Sequence, residues 1–230
     1  MEDNATTRHP TGAAIALGSR ATFVARTYVH LFGAIAAFTL VEIVLFRSGA
    51  AGRIAQAMLS VNWLFVLGAF MVVSWLASRF AHRSSSLAVQ YTALGAYVLA
   101  QALIFVPLLF AAEYYAPGAI ASAAAITLMA FAGLTAVVLL TRQDFSFLRA
   151  SLGFAGVLAL VTIVASVLFG FQLGTWFSLG MVALAGVAIL YDTSKILRTF
   201  PEERYVGAAL QLFASVALMF WYVLRLTSRD

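Results

Sequence analysis

The sequence predicts an all-α integral membrane protein with seven transmembrane helices, and two observations carry that expectation. Hydrophobic residues make up 63% of the 230-residue chain and charged ones 10%, with a mean hydropathy of +0.97. Soluble proteins carry about 25% charged residues. The second observation is the spacing of the charges. Uncharged stretches run from Ile54 to Ser78, Ser84 to Ala112, Tyr114 to Thr141, Ala150 to Tyr191 and Tyr205 to Leu224, and another from Thr27 to Phe46 is interrupted by Glu42. A crossing takes about 20 apolar residues. The run from Ala150 is long enough for two crossings, and Gly170-Phe171-Gln172-Leu173-Gly174 supplies turn chemistry near its middle.

Taken in order, the spans are expected near 28–47, 56–78, 87–111, 118–141, 150–169, 175–197 and 205–226. The first carries His30 near one end and Glu42 about 21 Å beyond Tyr28 along the helix. Glu42 then reads either as an acid at the headgroups beside Arg47 or as a carboxylate turned into the bundle. Trp63 and Trp75 sit near the two ends of the second span, as interface anchors would. The third has Gln90 and Gln101, amides able to bond across helices, and Pro107, which should kink it or end its regular ladder. In the fourth, Ala121 with Ala125 and Ala132 with Ala136 have the spacing that lets helices approach closely in lipid. Gly153, Gly156 and Ser166 in the fifth span, and Gly180 and Gly186 in the sixth, extend that packing expectation.

Residues 1–26 are expected to be a polar cytoplasmic tail and residues 27–230 one membrane domain. Ala13 to Leu17 is too short for a signal-peptide core. One side of the seven-span arrangement collects Arg8, Arg20, Arg26, Arg79, Arg83, Arg142, Arg149, Lys195, Arg198 and Arg204. The other has Arg47, Arg53, Arg225 and Arg229. By the positive-inside rule the N-terminus faces the cytoplasm. The pI of 9.9 therefore reads as topology and attraction to lipid headgroups, not as a nucleic-acid footprint. Nucleic acid is excluded as a partner; the lipid bilayer is the expected one.

Chemistry is sparse. There is no cysteine, and His9, His30 and His82 are too scattered for a metal site, so no metal or resident cofactor is expected. No nucleotide-binding glycine loop, HExxH or GxSxG occurs, and Lys195, the lone lysine, is misplaced for a retinal Schiff base. An enzyme is not expected, since Asp192 and Glu42 lie at different depths and cannot act as paired acids.

Asp192 is the residue that asks for a function. It follows the longest uncharged run, where a span is ending. An acid at mid-helix costs roughly 2.5 to 3.5 kcal/mol on insertion scales, so such acids face a bundle interior or a water path. Desolvation favours its neutral form and a neighbouring cation its ionised form, which is the raw material of a pH-gated latch. Lys195, Arg198, Arg79 and Arg83 are expected in the same layer. The plain alternative is a surface pair with Lys195, worth little when solvated.

Three stretches bear a resemblance: Phe23-Val24-Ala25-Arg26-Thr27-Tyr28, Asp144-Phe145-Ser146-Phe147-Leu148, and Ile189-Leu190-Tyr191-Asp192-Thr193 with the helix that follows. In order and spacing the chain resembles the Bax inhibitor family, also called transmembrane Bax-inhibitor-motif proteins, in a bacterial-type form. The resemblance implies two three-helix layers around a central final helix and, in some members, a pH-sensitive calcium leak. In those members an aspartate at the Asp192 position pairs with a second in the last helix, and an arginine near the end of the second span latches onto them. Arg79 or Arg83 is the latch candidate here. Ser215 stands where the second aspartate should be. One carboxylate and a neutral hydroxyl make a poorer site for Ca²⁺ than two carboxylates.

The expected function is accordingly a cation or calcium leak gated by Asp192 with Arg79 or Arg83, and with Ser215, Gln211, Gln101 and Glu42 as pore-lining candidates. Calcium enters only as a transported ion. The alternative is a regulatory protein that binds other membrane proteins, such as a membrane protease, without ion flux. The expected location is a bacterial inner membrane.

Overall fold

The computed structural model describes residues 12–228, and among these the regular structure is helical. The helices are α1 (Gly12–Arg47), α2 (Ala50–Leu59), α3 (Trp63–Arg83), α4 (Leu87–Tyr115), α5 (Ala119–Thr141), α6 (Leu148–Phe169), α7 (Thr175–Arg198) and α8 (Tyr205–Thr227). All but α2 are long and apolar enough to cross a membrane. α1, α4 and α3 lie side by side, as do α5, α7 and α6, and α8 is packed between the two sets. α8 is the core: Leu210, Leu212, Phe213, Met219 and Leu224 are all buried.

Three expectations are corrected. Residues 56–59 are not part of the second span: they belong to α2, a short amphipathic helix that turns Ala51 and Ala55 onto Val106 of α4 and leaves Arg53 exposed. Its end is set by Asn62, whose side-chain oxygen accepts from the Leu64 N–H at 2.9 Å and caps the start of α3. The apolar run from Ile54 hid this break because α2 and α3 are both apolar. Second, Ala121, Ala125 and Ala132 are exposed. α5 packs instead through Ala119, Ala123, Thr127, Phe131, Thr135 and Val138, a stripe that takes both threonine hydroxyls out of lipid. Third, Gly153, Gly156 and Gly180 face open space, whereas Gly186 does pack, with Leu134 and Met219 in contact range.

Pro107 lies inside α4, which continues to Tyr115. Gly170, at φ 73°, ends α6 where the sequence predicts the turn. α1 runs unbroken through residue 26, the expected junction between tail and membrane domain; residues 1–11 of that tail lie outside the described residues.

Candidate functional site

Asp192 projects from α7 toward α8 and is 4% exposed. Its two carboxylate oxygens accept from the Gln211 amide at 2.5 Å and the Ser215 hydroxyl at 2.7 Å. Gln211 and Ser215 are four residues apart on α8, so they present one face to the carboxylate. The acid is thus held by neutral donors rather than by a salt bridge. Lys195 lies near enough for its charge to act on Asp192 without a salt bridge, its ammonium 5.3 Å from the centre of the Phe200 ring. Arg79 and Arg83 are exposed, and Arg79 lies 5.2 Å from the centre of the Trp75 ring.

On one side of this cluster the bundle is tied shut. Arg20 of α1 donates to the carbonyls of Ile196, Leu197 and Phe200 at 2.5, 3.0 and 2.6 Å, and lies 3.8 Å from the Glu202 carboxylate. A cation on the last carbonyls of α7 satisfies groups that a helix end leaves open and opposes the negative end of its dipole. Gln90, with no exposed surface, donates to the carbonyls of Ser84 and Glu203 and accepts from the Gly207 N–H. Gly207 in turn touches α3 so closely that a Cβ there would lie 2.6 Å from the Ala81 carbonyl oxygen. The Phe23 ring stacks on Phe200 at 6.2 Å.

The Asp144–Leu148 stretch joins the same end. The Phe145 N–H donates to the Ser194 hydroxyl at 3.1 Å, and Arg198 donates to the Arg142 carbonyl. Asp144 accepts from the Ser146 N–H at 2.9 Å; that hydrogen bond holds its carboxyl below the usual range. His30 is satisfied locally. Its Nδ1 can only donate to the Arg26 carbonyl, which leaves Nε2 to accept from the Tyr91 hydroxyl in the neutral ring.

On the other side the bundle is hollow. A cavity of about 870 Å³ reaches from Gln172, Leu173 and Arg225 down to Gln101 and Ser215. Ser215 and Arg225 are ten residues apart on α8, about 15 Å. The Gln101 side-chain oxygen is buried there with no hydrogen-bond partner, and Arg225 donates to the Leu173 carbonyl at 3.0 Å. Asp192 therefore sits behind the cavity floor, bonded to its last polar residue.

Glu42 is elsewhere. Of the two sequence readings the structure favours the bundle-facing one: Glu42 is 7% exposed and lines a separate cavity between α1, α4, α5 and α8, without Gln101, Gln211 or Ser215. The structure thus joins Asp192, Gln211 and Ser215, places Gln101 in the cavity that Ser215 also lines, and leaves Arg79, Arg83 and Glu42 apart. Sequence reasoning missed Arg20, read as part of a tail, and Arg225, read as topology alone. The interval from Ser215 to Arg225 along one helix could have found the latter. Among the described residues no group of His, Cys, Asp or Glu could hold a metal ion.

No solved structure matches the chain. An uncharacterised protein of Pseudomonas aeruginosa is 36% identical over 110 residues, 46% of this chain and 48% of the relative. An uncharacterised membrane protein of Vibrio cholerae is 33% identical over 115 residues, 48% of this chain and 50% of the relative. The chain spans about half the length of these curated relatives. The family model described as "Inhibitor of apoptosis-promoting Bax1" matches residues 20–230, which include all three stretches that carry the resemblance. This multi-pass membrane protein belongs to the Bax inhibitor family.

Proposed function

We propose that this protein is a cation leak in which Asp192 is the gate, with calcium or monovalent cations as the transported ions and no enzymatic step. One observation carries the reading: a polar-floored cavity from the Arg225 end stops at Ser215, and the hydroxyl of Ser215 is bonded to a buried carboxylate. While Asp192 is ionised it accepts from α7's neighbour at two points and clamps α8. Protonation removes the charge that strengthens both bonds, and the α7–α8 contact loosens. A pathway then extends past Gln211 toward the Arg20 end. Arg79 or Arg83 would reach Asp192 only by leaving the exposed surface, so a latch role belongs to a second conformation. The basic residues gathered at the Arg20 end favour a cytoplasmic N-terminus, and the bacterial relatives favour an inner membrane.

The second reading, a regulator that binds other membrane proteins, is favoured by Ser215 itself: with one carboxylate the site gives a cation few charged ligands. Flux of Ca²⁺ and of monovalent cations from proteoliposomes, at acidic and neutral pH, separates the two. The leak reading expects native flux whose pH dependence disappears in Asp192→Asn. Absence of native flux, with flux appearing in Ser215→Asp, would transfer the assignment to the regulatory reading.

A further inference from the structure

The cavity that holds Glu42 is about 520 Å³ and nearly all apolar, walled by Phe38, Phe46, Phe213 and Phe220. Five polar or charged side chains break that wall: Thr39, Glu42, Arg47, Glu113 and Thr127. Both carboxylate oxygens of Glu42 are buried with no hydrogen-bond partner, and so is the hydroxyl of Thr127, which is 2% exposed. Buried polar atoms are paired in the great majority of native sites, so unpaired ones sharing one cavity call for a ligand. The charged groups that face the cavity are Arg47 of α1 and Glu113 of α4, both at the exposed rim; α5 and α8 present none.

We propose that this cavity is a binding site for hydrophobic amines, with Glu42 as the counter-ion of the ammonium, Thr127 as a hydrogen-bond acceptor and the phenylalanines around the apolar body. The donor set argues against an inorganic divalent ion. Ca²⁺ takes six to eight oxygens, and this wall is built of rings and methyl groups. A cation among phenyl faces, paired with a carboxylate away from water, gains from both. Access is from the lipid, because Ile43 and Leu128 line the cavity and are also 42% and 43% exposed.

The test is binding of 1-adamantylamine to the full chain in lipid nanodiscs, with protein-free nanodiscs to subtract partitioning and 1-adamantanol as the uncharged probe of similar shape. The amine should bind at least tenfold more tightly than the alcohol. Glu42→Gln should remove that preference while leaving the alcohol's affinity unchanged, which also reports that the variant is folded. Thr127→Val should weaken the amine a few-fold, and Ala124→Phe, which fills the cavity, should abolish binding of both. Equal binding of amine and alcohol to the native chain, or an amine affinity indifferent to Glu42→Gln or Ala124→Phe, would overturn the proposal.

Discussion

Asp192 and Glu42 are both buried acids on membrane helices, yet the bundle treats them in opposite ways. Asp192 has each oxygen bonded and stands behind a cavity floor, and one turn before Gln211 on α8 Gly207 is pressed against the Ala81 carbonyl of α3. Glu42 has neither oxygen bonded and stands in an open apolar cavity. Burial alone therefore says little about an acid's role. A carboxylate with its donors supplied holds helices together, while one without them is incomplete until something arrives.

The contrast can be broken most forcefully at the tied end. Gly207→Val puts a side chain into the Ala81 carbonyl, with backbone on both sides and no flexible group to yield. It should destabilise the bundle by about 1–3 kcal/mol, the usual cost of overpacking, measured as midpoint loss in a denaturing-detergent titration. Asp192→Ala comes next. It leaves the Ser215 hydroxyl without its carboxylate acceptor and takes one hydrogen bond from the Gln211 amide, at a cost of about 1–2 kcal/mol, whereas Glu42→Ala should cost less than its lost volume implies because it removes no hydrogen bond. Equal losses for the two alanine variants would erase the distinction.

Arg20→Gln sharpens the picture at the same end. It removes charge-assisted bonds to the carbonyls that close α7, and should speed amide hydrogen exchange in residues 196–207 relative to α8's centre, with a stability loss of about 1 kcal/mol. The smallest effect is at Asp144, which is exposed. Its carboxyl is depressed when folded, so its contribution is complete above the ordinary aspartate range. That contribution is lost as pH falls through the depressed value. In Asp144→Asn the acid limb of the stability curve should flatten slightly, and stability at neutral pH should fall only a little.

The spans were legible because lipid forces each crossing into one long apolar helix, so charge spacing alone divides the chain. α2 was not legible, since an amphipathic helix followed by an apolar one reads as a single run until Asn62 is recognised as a cap. The rise per residue placed Asp192 near the Arg20 end of its span, and the family resemblance, not helix geometry, matched Ser215 to it. The sequence could not show that Arg20 folds back onto Phe200, a contact across most of the chain. Nor could it show which face of α1 carries Glu42, since apart from Thr39 the residues within a turn of it are apolar on every side.

The most direct measurement uses a chain with no native cysteine, in which each introduced thiol is unique. Gln101→Cys, Ser215→Cys and Thr193→Cys would be exposed in sealed vesicles to a membrane-impermeant cationic thiol reagent applied from one side at a time. A cavity that opens at the Arg225 end and is closed at Asp192 requires labelling at positions 101 and 215 from that side alone, and none at position 193. Labelling of position 193 from the Arg20 side, or none at 101 and 215 from either, would contradict it.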